Sequence, residues 1–147
     1  MAEYHLTVRG FDSGLNEVLN GVQYVPKIRR IVNHVKDKND KLLIQHLRFE
    51  PILRDTKIQL PIVIHYKFYC KDRRRDRMNV ASAFDKSFED ALQKVGYIPN
   101  DGWSEVAGCT FDFDLDSADP RVEIIIHEWV GKDKPPIFWG GWERYKL

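Results

Sequence analysis

Apolar and polar positions recur at two different periods along this 147-residue chain. From Ile62 to Cys70 the period is two. Ile62, Ile64, Tyr66, Phe68 and Cys70 fall on one face, and Val63, His65, Lys67 and Tyr69 on the other, which predicts a strand. Residues 3–9 read as an earlier strand closed by Gly10. Residues 105–115 and 121–129 read as two later strands, and the short polar link 116–120 predicts that they form an antiparallel hairpin. Elsewhere the period is helical. After Pro26, Ile28, Ile31, Val32 and Val35 recur at three to four residues, and Leu42, Leu43 and Leu47 resume the stripe. This predicts one helix of about 20 residues, broken near Asn39-Asp40 and stopped by Pro51. A second helix is predicted over 80–95, with Val80, Phe84, Phe88, Ala91, Leu92 and Val95 on one stripe. Asn79 suits its N-cap and Gly96 its end. Residues 11–25 read as loop, and 130–147 as an irregular, Trp-rich tail.

The element order β, α, β, α, β, β predicts an α/β fold, a mixed β-sheet with two main helices packed on it. Length agrees with one domain, residues 1–129, followed by the tail. Composition is globular, with 43% apolar and 31% charged residues. No run approaches the roughly 20 apolar residues of a membrane helix, and the first residues do not read as a secretory signal. Cys70 and Cys109 lie in strand-like segments without His or Cys at ligand spacing, so they read as buried free thiols of a cytoplasmic protein.

The net charge of +1 hides a strong asymmetry. Residues 27–57 carry nine basic against four acidic side chains, net +5, and Lys71–Arg77 carry five against two, net +3. Residues 101–128 carry eight acidic side chains against Arg121, net −7. A basic half and an acidic half can present a phosphate-binding face on a near-neutral protein. The same runs also suit plain solvated faces.

The segment 71–103 holds the candidate chemistry. A strand feeds Arg73-Arg74-Arg75-Asp76-Arg77-Met78-Asn79, a helix follows, and the chain turns at Asn100-Asp101-Gly102. Clustered carboxylates would bind Mg²⁺ through oxygen, and the arginines would hold phosphates. Acids at the two ends of that helix would lie about 24 Å apart on a straight path. They meet only if the turn folds back or a dimer interface brings them together. Asp76 also suits an N-cap, Asp101 a turn, and Lys86 an i,i+4 pair with Asp90. Asp85 reads as solvated, His65 and His127 as strand histidines, and Trp103, Trp139 and Trp142 as packing residues.

Asp76-Arg77-Met78-Asn79, Lys86, Asp90-Ala91-Leu92, Gly96 and Asn100-Asp101 together resemble the signature of the RusA family of Holliday junction resolvases, common in phages and prophages. Leu15-Asn16-Glu17 and the run 116–123 extend the similarity over about residues 15–128. The resemblance implies a Mg²⁺-dependent (or Mn²⁺-dependent) homodimeric endonuclease of DNA recombination and repair that cleaves branched DNA. It implies that Asp76 and Asp101 hold the metal and that Lys86 steadies charge at the scissile phosphate. Arg73, Arg74, Arg75 and Arg77 would grip DNA.

One position departs from the pattern. The family carries a third key acid where this chain has Met78, and a thioether is too soft to ligate Mg²⁺. Three readings stay open. The chain binds junctions without cutting, or another acid such as Asp72 or Asp85 substitutes, or two acids suffice with water and DNA phosphate. A plain interaction protein, supported by the Trp-rich tail, is the remaining class.

Overall fold

The computed structural model describes residues 3–11, 26–73, 77–102 and 104–129. The expectations for the loop at 12–25 and the tail at 130–147 lie outside the described residues, as do those for Arg74, Arg75, Asp76, Trp103, Trp139 and Trp142. Six elements follow in the predicted order. They are β1 (Glu3–Val8), α1 (Pro26–Arg48), β2 (Ile62–Cys70), α2 (Arg77–Val95), β3 (Val106–Leu115) and β4 (Arg121–Glu128). The four strands form one mixed sheet in the order β1-β4-β2-β3, with helices packed on it. The fold class is the predicted α/β.

The predicted hairpin does not form. β3 and β4 are separated by β2, which pairs parallel with β3 and antiparallel with β4. A link of five residues reaches up to roughly 17 Å, and stepping over one strand needs only about 10 Å. The crossing is fixed where it passes the end of β2. The Asp116 N–H donates to the Cys70 carbonyl at 2.8 Å. Arg121 donates to the Asp116 carboxylate at 2.9 Å and to the Asp119 carbonyl at 3.0 Å, and stacks 3.8 Å above the Tyr69 ring. Arg9 makes two bonds of 2.9 Å to Asp119. The sequence signal was a short polar link, and a crossover of one strand carries the same signal as a hairpin.

The expected helix break at Asn39-Asp40 is also absent, because α1 runs unbroken to Arg48. Asn39 faces inward and is buried, while Lys36, Asp37, Lys38 and Lys41 are exposed. The polar stretch is therefore one buried position inside a solvated face, and packing of Leu43 and Leu47 holds the helix through it. The side chains of the early stripe, Ile28 to Val32, lie outside the described residues. α2 starts at Arg77, so Asn79 sits in its first turn and does not cap it. Gly96 ends it as predicted, with φ +96°. Tyr97 N–H reaches back to the Leu92 carbonyl at 2.9 Å, and Gly96 N–H to Gln93 at 3.1 Å, which closes the last turn.

One register detail decides which residues meet the helices. Ile62 pairs with Val106, but Val63 pairs with Gly108, so Ala107 is an extra residue in β3. The bulge shifts the alternation by one. Cys109, Phe111 and Phe113 thereby face α2 beside Ile64, Tyr66 and Phe68, while Thr110, Asp112 and Asp114 face away. The core that results is aromatic. Phe84 meets Tyr66 and Phe68 edge-on at 5.6 Å, and Tyr66 stacks on Phe111 at 5.5 Å.

On the opposite face His65 is only 4% exposed, and its Nδ1 lies 2.6 Å from Thr110 Oγ1. Burial, helped by the neighbouring His127, lowers its pKa to about 4. The sign follows directly. Between pH 6.5 and 4 the unfolded chain binds a proton that the folded chain does not, so stability is present above the window and falls through it. Urea unfolding from pH 7 down to pH 4 is expected to lose about 3 kcal/mol through this residue. His65→Gln is expected to remove that part of the acid dependence, and an unchanged acid limb would refute the assignment.

Candidate metal centre

α2 turns its apolar stripe into the core and leaves the adjacent row, Asp85 and Glu89, over the seam with β2 and β3. The two acids are one helical turn apart and therefore neighbours. Tyr66, fully buried on β2, donates its hydroxyl to Asp85 Oδ1 at 2.6 Å. The Cys109 thiol of β3 lies 3.5 Å from the same oxygen. Ligand atoms of Asp85, Glu89 and Cys109 all lie within 4.8 Å of one another, half-buried, so the group could hold a metal ion. No helix of the described residues is long and apolar enough to cross a membrane.

The electrostatics of the group follow from crowding. Burial raises the Glu89 pKa to about 9. A hydrogen bond to Asp85 and the charges of Asp85, Asp101 and Asp90 raise it in the same direction. Glu89 therefore favours its protonated form, whose hydroxyl donates to Asp85. Burial first, then the charge of Asp85, also pushes the Cys109 thiol and the Tyr66 hydroxyl upward. Cys109 keeps its proton and acts as a donor to Asp85. The oxygens of Asp85 and Glu89 are what the group offers to a hard cation, which would displace the Glu89 proton.

The predicted site residues are spread along α2, from the arginines at its start through Lys86 at its middle to Asp101 in the turn after it. Asp101, exposed in the turn after the helix, folds back within electrostatic reach of Glu89. Its N–H donates to Asn100 Oδ1 at 2.9 Å, so Asn100 shapes that turn. Lys86 is exposed and follows Asp85 on the helix. Arg73 and Arg77 are exposed at the opposite end, where the Arg77 guanidinium lies 5.7 Å from the Phe113 ring centre. Arg77 and Asp85 are separated by about 12 Å of helix. Met78 is 58% exposed and lies in the wall of a cavity of about 660 Å³ that also holds Phe113 and Leu115. Asp72 lines the same cavity. Neither Met78 nor Asp72 belongs to the Asp85 group.

Sequence reasoning treated Asp85 as solvated, with substitution for the missing acid left as an alternative, and gave no site role to Glu89, Cys109 or Tyr66. The structure corrects that reading for Asp85, which is half-buried and hydrogen-bonded. One signal was available: acids at i and i+4 directly beside the Phe84 and Phe88 stripe. The contribution of Cys109 required the bulge in β3. The two cysteines are free, as expected, though half-buried. No protein-family model matches the chain, and no curated protein is significantly similar to it.

Proposed function

We propose that the protein is a divalent-metal-dependent endonuclease acting on branched DNA as a homodimer, in the manner its RusA resemblance implies. The observation that carries the reading is the pairing of Asp85 and Glu89 along the middle of α2, with Asp101 within electrostatic reach of Glu89, Arg77 at the start of the helix and Arg73 shortly before it. Asp85 and Glu89 would hold Mg²⁺ or Mn²⁺, with Asp101 beside them and Asp76 kept from the resemblance as a further ligand. Such an ion, when bound, polarises a phosphodiester and activates water. Tyr66 and Cys109 donate to Asp85 and fix its orientation, which outer partners of metal ligands commonly do. Lys86 offers positive charge at the scissile phosphate. Arg73 and Arg77, with Arg74 and Arg75, hold the flanking backbone.

A second reading is binding without cleavage. It is favoured by Met78, which stands in an apolar cavity wall and supplies no oxygen where the family has one.

The test is cleavage of a synthetic four-way junction and a matched linear duplex in Mg²⁺ and in Mn²⁺. Paired cuts on the junction, absent with chelator, are expected. Binding without cuts in either metal selects the second reading, and Met78→Asp is then expected to restore cleavage.

A further inference from the structure

The apolar end of the cleft has no part in the metal chemistry. Among the described residues four large apolar side chains are exposed, and two of them, Met78 and Leu115 at 44%, line the 660 Å³ cavity at the carboxyl ends of β2 and β3. Phe113 lies between them in the sheet wall, with the Arg77 guanidinium over its ring. Single exposed apolar side chains are ordinary, but a concave apolar floor with cations at its rim is a feature of ligand sites. The volume lies within the range of small-molecule pockets, which is ample for one nucleotide.

The rim fits an anion. A second cavity of about 520 Å³ continues from the first through Cys70, Asp72 and Val80, and brings Lys38 and Lys71 to the same cleft. Arg121, also in its wall, is engaged by Asp116 and Glu123. The other cations, Lys38, Lys71, Arg73 and Arg77, outnumber Asp72 and Asp114 by four to two. A phosphate alone would need no apolar floor, and an apolar ligand alone would need no cations. A nucleotide in a single strand uses both, its base on the platform and its phosphates on the rim. The Arg77 guanidinium can also offer its outer plane to a base.

We infer that Met78, Phe113 and Leu115 form a platform for one unpaired base of a DNA strand, with Arg73 and Arg77 on its phosphates. The inference rests on the branched-DNA reading above and deepens it. The position occupied by Met78 then serves substrate recognition, its thioether being part of the surface on which the base rests.

The test is fluorescence anisotropy of the full chain with a short single-stranded DNA in chelator, so that cleavage plays no part. Matched duplex, and strands carrying one abasic position in turn, are the comparisons. Single strand is expected to bind more tightly than duplex, and one abasic position to weaken it about tenfold, as the loss of one stacked base does. The double variant Met78→Ser, Leu115→Ser changes exposed side chains and is expected to keep the native melting temperature. It should weaken intact strand about tenfold, leave the salt dependence unchanged, and bind intact and abasic strands equally. Arg77→Gln should lower the slope of log affinity against log salt by about 0.7. Equal affinity for intact and abasic strands by the unaltered protein overturns the inference, as does full affinity in the double variant. The nuclease reading fails separately, if the unaltered protein binds this way and cuts no junction in either metal.

Discussion

Asp85→Asn is expected to lower metal-dependent cleavage by more than about 100-fold while leaving the fold and DNA binding in chelator close to normal. The replacement has almost the same shape. Its amide oxygen can still accept from the Tyr66 hydroxyl, whose buried donor would otherwise cost about 1–3 kcal/mol. What it removes is a charged oxygen ligand. Loss of an outer partner of a metal site alone commonly costs 10–100-fold, so loss of a ligand should cost more. Glu89 then loses both the hydrogen bond and the charge that raise its pKa, and ionises more easily. The measurement is single-turnover cleavage of a four-way junction at several Mg²⁺ concentrations, beside Asp101→Asn and Asp76→Asn. Recovery at high Mg²⁺ would mean a weakened ligand set. Full activity at ordinary Mg²⁺ would place the metal away from Asp85.

The second large effect concerns stability. Phe84 is fully buried and its ring meets four others: Phe11 at 4.7 Å, Tyr66 and Phe68 at 5.6 Å, and Phe88 at 6.0 Å. Phe84→Ala removes a ring from the joint between α2, β2 and the segment after β1. Such truncations cost about 3–5 kcal/mol, because lost transfer energy and an unfilled cavity add. For a chain of this length the melting temperature should fall by roughly 10–15 °C. Phe49→Ala, at a position 71% exposed, is the control and should change stability by less than about 0.5 kcal/mol. Equal losses at both positions would contradict the packing described.

Particular residues show how far the sequence could be read. The alternation from Ile62 to Cys70 gave a strand with those same bounds, because a buried face and a pleat impose a period of two. Gly96 ended a helix where a left-handed residue was needed. Those signals are local. Strand order is not local. The link at 116–120 looks the same whether the next strand lies beside β3 or beyond β2, and only the long-range pairing of β4 with both β1 and β2 distinguishes them. The site shows the same division. Asp101 and the arginines were visible as types in a motif, whereas the approach of Cys109 to Asp85 depends on Ala107, one extra residue in a strand. No propensity marks that residue. Asn39 was misread for a related reason: a polar residue predicts a break until the helix is known to bury it.

The position of β4 also sets an order of events during synthesis. Glu3 pairs with His127, and among the described residues β1 pairs with β4 alone. The first strand made must therefore wait for the last before its backbone is paired. The unit β2–α2–β3 needs no such delay, since its parallel pair and its helix are contiguous in the chain. That unit carries Tyr66, Asp85, Glu89 and Cys109 together. A nascent chain can thus bring these four side chains together while its amino-terminal strand is still unpaired. Emergence of residues 121–128 from the ribosome completes the sheet around a cluster already assembled.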